Sequence, residues 1–206
     1  NSSMQTGTNG TSYYFSVASG DITNFFNEVD LNTPWDYHYE NLDSRTILDR
    51  LAAVKYFVVK AGEVEDLPYG YDTLAAEVEK NDKLYRAYEC KNALPIGYTY
   101  DSYIPEEKYA KMSTVEKQQA LLQGVILLNS TVPETTSEFN DREVPYKLVT
   151  GSGCREKDGK LIVTKENAQA KLVFDGLDEC ETYLITEGVD YEALSPRELI
   201  SDKKWS

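Results

Sequence analysis

Between Asn92 and Leu128 a period-two pattern and two helix starts follow one another so closely that only a mixed strand-and-helix arrangement accommodates them. Ile96 to Ile104 places Ile96, Tyr98 and Tyr100 on one face of an expected strand, with Gly97, Thr99 and Asp101 on the other. Pro105 has a fixed φ suited to a first helical position, and Glu106 and Glu107 set negative charge at the positive end of the helix dipole. A short helix through Lys111 follows from that. Ser113 and Glu116 then have the spacing of a capping box, in which each side chain satisfies a backbone N–H left free at a helix start. A second helix is therefore expected from Thr114. Its apolar stripe is Val115, Leu121, Leu122, Val125, Ile126 and Leu128, while Glu116, Lys117, Gln119 and Gln123 face water.

The rest of the 206 residues extends the same texture. The first stretch, 1–12, is rich in Ser, Thr, Gly and Asn and reads as a disordered or added tail. Tyr13 to Val17 reads as a strand, and Asp21 as the cap of a helix carrying Ile22, Phe25, Phe26 and Val29. Asp43 or Ser44 is expected to cap a helix over Arg45 to Ala53, leading into Val54 to Lys60, the strongest strand signal in the chain. Thr73 to Lys80 reads as a helical turn, and Leu84 to Cys90 as a strand pairing with the Tyr98 strand. These elements make an α+β domain over 13–128.

From 129 to 145 Ser, Thr, Pro and Glu dominate without helical periodicity, which reads as a linker or long loop. Beyond it come four strand signals, YKLVTG, KLIVTK, AKLVFDGL and TYLITEG, divided by turn residues such as those at 157–159 and 175–176. Residues 146–206 are accordingly expected to form an antiparallel, sandwich-like β region.

A formal net charge of -14 argues against nucleic acid as a partner, because duplex binding depends on Lys and Arg neutralising phosphates, and it argues equally against an anionic membrane face. With 41% hydrophobic residues the chain can build a core, yet no apolar run approaches the about 20 residues that cross a bilayer. Starting at Asn1 and ending on a polar tail, it reads as an excised fragment or a processed chain. Cys90, Cys154 and Cys180 form no C-x-x-C pair, and with a single His they do not compose a zinc site. A Cys154–Cys180 bridge and three free thiols both stay open.

No catalytic constellation stands out. His38 is the only imidazole available to activate a nucleophile. Gly151-Ser-Gly153 lacks the G-K-[ST] of a phosphate-binding loop. Carboxylates are abundant, but glycoside hydrolysis needs two placed across a cleft, and Asp175, Asp178, Glu179 and Glu181 lack the spacing of a known calcium loop. No catalytic residue, metal ligand or cofactor is assigned. The candidate contacts are aromatic: Trp35 and Tyr37 in PWDYHYE, and Tyr98, Tyr100, Asp101 and Tyr103 in the tyrosine strand. Such rings either stack on sugar faces or pack in a core.

The segment LPIGYTYDSYI with the following EKQQALLQG resembles the outward-facing region of the YfhO family of bacterial polytopic membrane proteins. Leu42 to Val59 resembles the family's helix leading into a strand, and Asp178 to Ile185 its sheet region. The resemblance implies a longer parent protein with many transmembrane helices, similar to glycosyltransferases that take sugars from lipid-phosphate carriers. It implies an extracytoplasmic position and a part in glycosylating envelope polymers such as lipoteichoic acid. In such enzymes the catalytic carboxylate lies in a loop near the first membrane helices, which this sequence lacks, so no catalytic residue carries over. The implied partners are an envelope glycan or polymer and the transmembrane part of the parent chain. The expected role is positioning the acceptor or covering the membrane active site. The alternatives are a module docking an envelope-pathway protein and a free-standing hydrolase. An anionic polymer would be repelled by a domain at -14 within the screening length of about 8 Å, so recognition would need neutral sugars, local basic residues or a bridging cation.

Overall fold

The computed structural model describes residues 7, 9–14, 17, 19–31, 38–39, 41–62 and 67–186. They divide into two compact units, Asn1–Lys147 and Leu148–Ser206. The fold class is α+β; among the described residues the short helices are confined to the first unit and small sheets occur in both.

In the first unit, β1 (Tyr13–Tyr14) pairs antiparallel with β2 (His38–Tyr39), and α1 (Gly20–Glu28) lies between them in sequence. The apolar side of α1 behaves as its spacing predicts for Phe26 and Val29, which are buried, whereas Ile22 stays exposed. Ser19, not Asp21, is the N-cap. The next helix, α2 (Thr46–Leu51), is not capped by Asp43 or Ser44. Both adopt positive φ in the preceding turn, and Arg45 takes the N-cap position. The buried Arg45 guanidinium instead donates to the Val29 carbonyl at 2.7 Å, tying the start of α2 to the end of α1. Around that tie, Phe26, Val29, Leu31, Tyr39, Leu42 and Leu48 form the first core, with Phe26 and Tyr39 edge to face at 4.7 Å.

β3 (Tyr56–Lys60), β4 (Thr73–Lys80) and β5 (Lys83–Glu89) form an antiparallel sheet in the order β3-β5-β4. Two expectations fail here. Thr73–Lys80 is a strand rather than a helical turn, and β5 pairs with β3 and β4 rather than with the Tyr98 segment. The cause is the turn at Asn81-Asp82, whose φ values of 54° and 56° are those of a two-residue hairpin turn matched to strand twist. Tertiary pairing thereby overrides the helix-favouring Ala, Glu and Lys of β4. Because Gly is the favoured second residue of such a turn, Asp82→Gly should raise stability by about 0.5 kcal/mol. A urea midpoint left unchanged or lowered would refute this account of the hairpin.

The third group is β6 (Tyr103–Pro105), α3 (Glu106–Tyr109), α4 (Thr114–Leu121) and β7 (Val125–Leu127). The Ser113–Glu116 capping box forms as its spacing predicts, with Ser113 Oγ accepting from the Glu116 N–H and the Glu116 carboxylate accepting from the Ser113 N–H. The helix does not run on to Leu128. It ends at Leu121, and Val125–Leu127 becomes a strand parallel to β6. Gly124 lets the chain pass so near β6 that a Cβ there would sit 3.2 Å from both Ile104 Cγ1 and the Ser102 carbonyl. Ile104, Tyr109 and Ala120 make the second core, and Leu121 packs against both cores. Residues 129–145 contain no strand or helix, but Glu134 bridges to Tyr103 and Phe139 packs on the second core.

The second unit pairs β9 (Cys154–Lys157) antiparallel with β10 (Lys160–Val163) across Asp158-Gly159, and β8 (Tyr146–Thr150) with β11 (Ala170–Phe174). The described part of TYLITEG, 182–186, is not a strand. The three cysteines are free thiols. Among the described residues of the second unit no side chain is fully buried.

Candidate functional site

The loop from Lys91 to Ser102 is where the tyrosine segment lies, and it is not the long strand its alternation suggests. Pro95 donates no backbone hydrogen bond and Gly97 lacks a side chain to pack, so extended pairing begins only at Tyr103. Ile96 is 91% exposed as a result.

Local contacts hold this loop against the first unit. Tyr100 donates its hydroxyl to the Leu121 carbonyl at 2.5 Å, at the end of α4, and Ser102 Oγ donates to the Gln123 carbonyl at 3.0 Å. Tyr98 reaches the Leu51 carbonyl, at the end of α2, at 3.5 Å. The two rings meet edge to face, with centroids 5.5 Å apart. Burial pushes the Tyr100 hydroxyl well above the ordinary tyrosine range, and its hydrogen bond with Tyr98 acts in the same direction. Tyr100 is thus a neutral donor at any physiological pH. Tyr100→Phe should cost about 1 kcal/mol, because the Leu121 carbonyl loses a partner at a half-buried position. Tyr98→Phe, whose bond is long and exposed, should cost much less. Equal shifts in urea midpoint for the two variants would contradict this ranking.

Of the candidate contacts, Tyr98 and Tyr100 come together, Asp101 lies beside them and is exposed, and Tyr103 opens β6, where its backbone engages Pro133 and Thr135. Trp35 and Tyr37 lie outside the described residues.

A depression of about 540 Å³ opens where this loop crosses the ends of α2, β3 and β5; its lining includes Ala53, Lys55, Glu89, Lys91, Pro95 and Ile96. Lys55 and Glu89 form an ion pair at 3.2 Å on its wall, and the hydrogen bond to Glu89 raises the Lys55 ammonium pKa. The lysine is held as a cation. Cys90, at its floor, is buried. A second depression of about 370 Å³ is lined by residues including Lys108, Lys111, Met112, Glu116 and Phe139.

Neither depression was visible in the strand pattern. Ile96 and Pro95 are separated in sequence from Ala53 and Lys55, and the β3–β5 pairing, with the Tyr98 contact to Leu51, brings the two segments together. What the first one offers chemically is an apolar lip, two ammonium groups and one carboxylate, a set suited to holding hydroxyl or anionic groups. Among the described residues no group of three His, Cys, Asp or Glu converges to hold a metal, and no helix is long and apolar enough to cross a membrane.

Comparison with known sequences places this architecture. The family described as bacterial membrane protein YfhO matches residues 1–187. The uncharacterized protein YfhO of Bacillus subtilis (strain 168) is 26% identical over 164 residues, covering 78% of this chain and 18% of the relative. The chain therefore spans less than a fifth of the length of that relative. No solved structure matches it. With the family match running from the first residue through the tyrosine loop and both sheet regions, the chain belongs to the YfhO family of bacterial membrane proteins.

Proposed function

We propose that this chain is an outward-facing, non-catalytic part of a longer membrane protein, where it supports glycosylation of cell-envelope polymers such as lipoteichoic acid. In this reading it positions the acceptor, or covers the active site in the membrane part, from the extracytoplasmic side. The observation that carries the reading is the depression in which Lys55, Lys91 and Glu89 stand around an apolar lip, lined in part by the loop that carries Tyr98. An aromatic ring with nearby donors and acceptors suits a sugar, and the two lysines supply the local positive charge that a polymer phosphate needs on a chain of net charge -14. Tyr98 supplies the stacking surface and Asp101 an acceptor for a sugar hydroxyl, while Tyr100 and Tyr103 hold the loop. Trp35 and Tyr37 remain proposed contacts on sequence grounds.

The test is made in the full-length membrane protein. Tyr98→Ala combined with Lys91→Glu should lower the sugar content of the envelope polymer while leaving protein abundance unchanged. Undiminished sugar content at normal abundance would reject the reading.

A second reading, a module that docks an envelope-pathway protein, is favoured by the exposed apolar side chains of the second unit, Leu161, Val163, Val173 and Phe174 among them. Crosslinking from Val163 in cells should then capture a protein of that pathway. Recovery of lipid or of no partner would count against it.

A further inference from the structure

We draw no further inference here: the strongest candidate, the buried Cys90 thiol at the floor of the first depression, close to the Arg50 guanidinium where both approach Gly70, is a lone cysteine in a cavity already described, with no second observation that points to a ligand.

Discussion

Leu48→Ala is expected to destabilise the first unit by about 3 kcal/mol, within the range for emptying a tightly packed leucine site. Leu48 is 1% exposed in α2 and shares the first core with Phe26, Val29, Leu31, Tyr39 and Leu42. The surroundings have little freedom to close the void. Tyr39 is held by Thr23 as well as by the Phe26 ring, and Arg45 ties the end of α1 to the start of α2. A midpoint of thermal unfolding lower by about 10 °C follows for a unit of this size. A shift of only a degree or two would mean that the core is looser than its burial indicates.

Ile104→Ala should cost about as much, for a different reason. Ile104 is 0% exposed and sits in the middle of β6, with Ile126 of β7 as its register partner. Its loss removes the side chain over which Gly124 passes, so the cavity would open where the parallel strands meet. A parallel pair of three residues each has little hydrogen bonding with which to compensate. The combination of Leu48→Ala with Ile104→Ala is a sharper test than either alone. The two cores share Leu121, and residues coupled through a common neighbour depart from additivity by about 0.5 kcal/mol or more. Strict additivity in a double-mutant cycle would show that Leu121 does not connect them energetically.

What could be read from the sequence depended on neighbours in the chain, although the caps expected at Asp21 and at Asp43 or Ser44 did not form. The Ser113 box needs only the Glu116 backbone and side chain, and the Asp158-Gly159 turn needs only residues with a tolerance for positive φ. Both formed where the letters indicated. Several of the misreadings share one physical origin, a decision made by a distant segment. Thr73–Lys80 has helix-favouring composition but lies as an edge strand because β5 offers it a ladder. Val125–Leu127 continues a helical spacing but follows β6 instead, since Gly124 permits the close approach. Ile96, placed by alternation on an apolar strand face, lines an open depression with Ala53 and Lys55. The tyrosines were legible as a cluster, but their hydroxyl partners, carbonyls at two helix ends, were not.

The absence of any fully buried side chain among the described residues of the second unit has a consequence in time as well as in energy. Amide protons of its two small ladders should trade with solvent through local opening at little free-energy cost, while those of β5 and α4 wait for the whole first unit to unfold. Anything that settles on the second unit would then announce itself as slowed deuterium uptake there, well before it moved the melting temperature of the chain.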